Sequence, residues 1–183
     1  MLAFRGLVPM KARRLDLLLV LAVLGASGGS VSCFDPVHSS DVDALGPERQ
    51  GILPGPNHRP GQNCRTCHGG NGPGSPEFSI AGTIYSARGV LEPLSGVTVA
   101  LTDASGATRE TESNEVGNFY LTSASWSPVF PVHVTLRDSR ADAQGVKDMV
   151  TPIGSNGGCA FCHYGAIDEA THMPPVFLRL KAL

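Results

Sequence analysis

Charge is sparse in this sequence and nowhere gathered. Only 16% of the 183 residues are charged, 14 basic against 16 acidic, and no basic run supplies the electrostatic footprint of a nucleic-acid binder, which argues against that partner. Long apolar runs are missing too. The longest, Leu17 to Ala26, has half of the roughly twenty residues that a membrane-spanning helix needs. No helical period longer than two turns is evident, and no Ser-His-Asp or carboxylate cluster offers hydrolytic chemistry. The 22 glycines and 14 prolines stay below the quarter of the chain that marks low-complexity disorder. With 42% hydrophobic residues, one modest core is expected, in a chain too short for two enzyme-sized domains. Cysteine is what the chain has in plenty: five, an odd number, so at least one does something other than pair internally.

The first 32 residues have the order of an export signal: Arg5, Lys11, Arg13 and Arg14, then the apolar stretch, then small residues from Ser27 to Ser32. Asp16 spoils a twin-arginine reading of Arg13-Arg14 and leaves general secretion. The tetrapeptide Ser30-Val31-Ser32-Cys33 resembles a bacterial lipobox, departing from it at Ser30, where an aliphatic residue is usual. The resemblance implies cleavage before Cys33, acylation of that cysteine and a lipoprotein on the periplasmic side of an envelope membrane. Phe34 rather than aspartate follows Cys33, which favours the outer membrane. The competing reading is a stray thiol near a conventional cleavage site. Each buried acyl methylene contributes about 0.8 kcal/mol, so multiple acylation anchors a chain that has no membrane helix. Residues 33–183 hold ten basic and fifteen acidic side chains, a net charge of −5.

Residues 33–62 carry five prolines after Phe34 and no stable apolar period, and read as an extended tether. Residues 63–77 surround one cysteine motif, 78–150 have β patterning, and 151–183 hold a second cysteine motif and a closing strand. In the β region Phe78, Ile80 and Ile84 alternate with Ser79, Ala81 and Thr83, and Val97, Val99 and Leu101 with Thr98, Ala100 and Thr102. Val132, Val134 and Leu136 alternate again, and Val176, Leu178 and Leu180 form the last run. Each run is expected to bury one face. Strands about ten residues apart, without helices between them, predict a mainly β protein, a small antiparallel β-sandwich flanked by the two cysteine segments. The stretch from Ser79 to about Arg137 resembles the carboxypeptidase regulatory-like family through Gly96, Val97, Val99, Leu101, Asp103, Gly106, Gly117 and Phe119. That resemblance implies a transthyretin-like sandwich, a scaffold and binding module without catalytic residues of its own.

Cys64-Arg65-Thr66-Cys67-His68 and Cys159-Ala160-Phe161-Cys162-His163 are two copies of C-x-x-C-H, the attachment motif of c-type haem. Two thiols at this spacing reach the two vinyl groups of one porphyrin, and the adjoining imidazole then falls beneath the iron. The motifs predict two covalent haems c, with His68 and His163 as proximal ligands, and resemble those of multihaem c-type cytochromes. A shared zinc site is disfavoured because 91 residues separate Cys67 from Cys159, against about 15 to 20 between the ligand pairs of structural zinc sites. A thioredoxin-like dithiol lacks its βαβ unit.

Each iron then has a distal position. His58, six residues before Cys64, is the first candidate, since an extended link of that length spans about 20 Å. Met149 and Met173 follow as nearly equal candidates for the second iron, with His172 behind them. His133 reads as a solvated strand residue, and His38 belongs to the tether. The resulting expectation is an electron carrier: a lipid-anchored dihaem cytochrome of the bacterial envelope, acidic enough for brief docking to basic redox partners. Two other readings stay open. One is a ligand-binding or assembly sandwich with structural haems, and the other is a peroxidase-type dihaem enzyme, whose relatives are about twice this length.

Overall fold

The structure is a computed structural model that describes residues 35–48, 50–141, 145–164 and 173–179. The chain divides into two compact units, Met1–Pro36 and Val37–Leu183, and nearly all described residues belong to the second. The leader, the expected lipidation site Cys33, and His172 lie outside the described residues. Among the described residues, no helix is long and apolar enough to cross a membrane.

The protein is mainly β. Strand β1 (Phe78–Thr83) pairs antiparallel with β6 (Asn118–Thr122), and β2 (Tyr85–Ala87) with β3 (Val90–Pro93). A four-stranded antiparallel sheet has the order β5 (Thr108–Glu112), β4 (Thr98–Thr102), β7 (His133–Arg137), β8 (Val146–Asp148). Period-two alternation sets the faces of this sheet: Val99 and Leu101 on β4 meet Leu136 and Val134 on β7, all buried, while His133 and Arg137 face outward. Together with Ile80, Ile84, Val97, Phe119, Trp126 and Val132 they form the core of a small β-sandwich. Each such aliphatic side chain contributes about 1.5–3 kcal/mol by leaving water. Asp103 closes the β4–β5 hairpin, its Oδ1 accepting from Ser105 N, Ser105 Oγ and Ala107 N and its Oδ2 from Val129 N. These bonds, the Ser105 hydroxyl foremost, hold its carboxyl below the ordinary aspartate range. Gly117 turns the chain into β6 at a φ of 77°, and a Cβ there would lie 2.3 Å from Ile84 O.

Four expectations are corrected. First, β1 does not bury one face but both: all six of its residues are buried, because the first cysteine segment packs against it and the second runs along its edge at Ala81, with Cys159 against Gly82 and the core. Second, Phe78 does not share the inward face of Ile80. The register slips by one residue between them, Phe78 standing opposite Thr122 and Ile80 opposite Leu121. Such a bulge reverses the alternation of side chains, so Phe78 is buried outside the core cluster, on the same side as Tyr120. Third, segment 33–62 is not an extended tether throughout. Helix α1 spans Pro36–Ala44 without burying a residue, with Pro36 at the first helical position, where its missing N–H costs nothing. Farther on, the segment is pinned to the sandwich: Asn114 Nδ2 donates to Pro56 O and Asn118 Nδ2 to Pro56 O and His58 O, while Gly61 N donates to Thr83 Oγ1. Fourth, the last apolar run forms no strand among the described residues. It docks beside Tyr85 through Tyr85 N to Val176 O and Leu178 N to Tyr85 O, with Leu178 buried, and Leu180 lies outside the described residues.

Candidate functional site: two cysteine–histidine motifs on one strand

The first motif is a single helical turn, α2 (Cys64–His68), and the second opens as a 3-10 turn over Cys159–Phe161. Both lie against β1. Arg65 reaches Ser79 O at 3.4 Å, and Ala81 N donates to Gly157 O at 2.9 Å, within an isolated parallel bridge of Ala81 with Gly158. Small residues make the approach close enough. A Cβ on Gly82 would lie 2.8 Å from Cys159 Cβ and 2.9 Å from its Sγ, and one on Gly157 would lie 1.9 Å from Ser79 O. The motifs also touch each other, since a Cβ on Gly158 would lie 2.3 Å from Asn63 Oδ1. The residues just before Cys64 and Cys159 are therefore neighbours, although 94 positions separate them in sequence.

Both motif histidines are held alike. His68 Nδ1 lies 2.7 Å from Pro76 O, and His163 Nδ1 lies 2.8 Å from Pro174 O. A carbonyl can only accept, so Nδ1 carries the proton in each ring and Nε2 keeps its lone pair for a metal. His58 repeats the arrangement, with its Nδ1 on Gly55 O. The ring centres of His58 and His68 are 5.8 Å apart. His58, His68, Cys64 and Cys67 line one cavity of about 90 Å³, together with Phe78, Phe119 and Tyr120. His68 is buried and stacks on Phe78 at 4.2 Å and 10°. Gly74 lies against the same imidazole, where a Cβ would stand 2.8 Å from three ring atoms. On either side of Cys64, Asn63 Oδ1 and Arg65 Nε are buried without a hydrogen-bond partner.

The second motif borders a wider, largely apolar cavity of about 340 Å³, lined among others by Cys159, Cys162, His163, Met149 and Met173. Met149 packs on the core and donates its N–H to Val134 O, whereas Met173 is half-exposed and bridges to His163, its N–H on Cys162 O. Both candidate methionines thus lie at the second motif and neither at the first. Phe119 lines both cavities. His133 is exposed on β7 and His38 lies on α1, both away from these cavities.

The four described cysteines are free thiols. Burial pushes the Cys64 thiol up to about 11 and that of Cys159 up to about 12. Reactive redox dithiols need the opposite shift, toward the thiolate, so these two lack the environment of a thioredoxin-like pair. Among the described residues, no group of three or more His, Cys, Asp and Glu gathers as the ligands of a metal ion would.

The alternation of apolar residues gave no sign of Phe78 or Tyr120 as site residues, because a bulge has no signature in period two. Pro76 and Pro174 escape sequence reading for another reason: what they supply is a backbone carbonyl, which every residue has. No family model, curated protein or solved structure matches this chain.

Proposed function

We propose that this protein is a dihaem c-type cytochrome that carries single electrons in the bacterial cell envelope, anchored by lipid on Cys33. The observation that carries the proposal is the shared anchoring of the histidines. At both C-x-x-C-H motifs, and again at His58, Nδ1 is spent on a backbone carbonyl and Nε2 is left as a metal donor. Two further observations support it: a largely apolar cavity beside the second cysteine pair, and an unpartnered Arg65 N–H of the kind a carboxylate satisfies. When bound, a haem supplies a one-electron iron couple, tuned by its axial ligands and by burial.

The chain's own residues do the rest. Cys64 with Cys67 and Cys159 with Cys162 would hold the two haems through thioether bonds, and His68 and His163, oriented by Pro76 O and Pro174 O, would be the imidazole donors beside them. His58, itself held by Asn118 through its carbonyl, is the distal donor at the first motif. Met149 or Met173 serves the second, with His172 the remaining candidate. The acidic surface suits partners with a basic face.

A pyridine haemochrome assay of the exported protein should give two haems per chain. Cys64→Ala with Cys67→Ala should leave one. Retention of two haems by that variant, or bound zinc in a haem-free preparation, would overturn the reading. Mass spectrometry of the N-terminal peptide tests the anchor, which a free amine at another residue in a soluble protein would remove.

A further inference from the structure

Beside His68 the structure holds a feature that ligation does not need. The His68 imidazole stacks on Phe78 at 4.2 Å and 10°, and Phe78 stacks on Tyr120 at 4.4 Å and 19°. His68 and Phe78 are buried, while Tyr120 is 37% exposed. Three rings in near-parallel contact therefore run from the proximal imidazole to the protein surface. The chain departs from regular strand geometry to form this stack, because the bulge between Phe78 and Ile80 is what turns Phe78 outward, toward Tyr120. Without it the alternation would return Phe78 to the core side, with Ile80. On β6, Phe119 points inward between the two cavities and Tyr120 points outward to solvent.

We infer that Tyr120 is the port through which the first haem exchanges electrons with a partner, the stacked rings of His68, Phe78 and Tyr120 forming the path. This rests on the dihaem reading. In the exchange one electron leaves ferrous iron, which becomes ferric, and reduces by one unit the metal centre of a one-electron acceptor docked over Tyr120. The rings couple the two centres without being oxidised, the phenol keeps its proton, and no bond forms or breaks. The acceptor's class is a metal centre on a cationic carrier. Glu77 adjoins Phe78 and is held by Ser123, the next residue beyond β6, and residues 33–183 carry a net charge of −5, so a positive face is attracted here.

The test uses the full dihaem protein. Reduced protein is mixed with hexaammineruthenium(III), a cationic one-electron oxidant, and haem oxidation is followed by stopped flow. Tyr120→Leu should slow the oxidation by about tenfold, and Tyr120→Phe, which keeps the ring, should match the wild type, with midpoint potentials unchanged in both. A second readout does not depend on turnover. In the reduced protein, the Tyr120 ring protons should be shifted upfield in proton NMR by Phe78, and Phe78→Leu should remove that shift. If Tyr120→Leu folds poorly, the β-compatible Tyr120→Thr replaces it. Equal rates in the wild type and the ringless variant overturn the inference, as does a Tyr120→Phe variant as slow as Tyr120→Leu, which would assign the effect to the hydroxyl. A haem count other than two instead overturns the dihaem reading, so the two failures are distinguishable.

Discussion

Around the first motif the chain is drawn tight: a helical turn, a buried histidine packed between Phe78 and Gly74, a second imidazole at 5.8 Å, and a cavity of about 90 Å³. Around the second it is looser, with a 3-10 turn, an exposed Cys162, a half-exposed Met173 and a cavity of about 340 Å³. The pentapeptide pattern and the Nδ1 anchor are common to both. What differs is what each segment is folded against, so the same local chemistry is set in two environments. Burial and axial-ligand type both tune an iron potential, so on the dihaem reading proposed above two irons held at these motifs should titrate apart.

The largest effect should come from removing what the two regions share. Phe119→Ala takes a buried ring from the wall common to both cavities and should cost about 3–5 kcal/mol, read by denaturant unfolding, with both haem spectra perturbed. A change confined to one spectrum would mean that the ring belongs to a single site. Next come two glycine variants that should separate the regions. Gly74→Ala pushes on the His68 ring and Gly82→Ala on Cys159, each by overpacking worth about 1–3 kcal/mol. The first should disturb the haem at Cys64 and the second the haem at Cys159, seen as selective loss or a spectral shift.

Smaller in stability but sharper in spectrum are the distal ligands. His58→Ala should open one iron to carbon monoxide and raise one midpoint, leaving intact the long-wavelength band of thioether-ligated ferric haem. Of Met149→Ala and Met173→Ala, only one should abolish that band. Its absence from the wild type would leave His172 as the donor. Smallest is a pH effect that lies in neither region. The carboxyl of Asp103 is lowered from 3.8 by its hydrogen bonds in the fold, so its contribution to stability is complete above that value. It is lost as the pH falls through the lower folded-state value. In Asp103→Asn the acid limb of an unfolding-against-pH curve should flatten, with no change in the ratio of the two haem spectra.

The sandwich was legible in Val97, Val99 and Leu101 and in Val132, Val134 and Leu136, because one-sided burial writes itself as alternation. Both motifs were legible as motifs because the spacing of two cysteines and a histidine is fixed within five residues. The coverage of β1 was not: Ser79, Ala81 and Thr83 look like residues of a solvent face, yet all three are buried. Nor was the helix at Pro36–Ala44, whose residues bury nothing and leave no apolar period to read. The nearness of His58 to His68 could be expected from its distance along the chain, whereas what holds it, Asn118, lies 60 residues away and carries no signal in sequence.

The double coverage of β1 bears on the order in which the molecule matures. Its closure joins Ala81 to Gly157 and Gly158 across most of the sandwich sequence, a long loop whose entropy must be overcome late in folding. Once closed, it holds Cys64 and Cys159 with desolvated thiols that ionise only at about 11 and 12. On the dihaem reading proposed above, attachment at these sulfurs would be easiest before the C-terminal segment docks. In that case completion of β1 would close the access of the two thiols to solvent and to anything that modifies them.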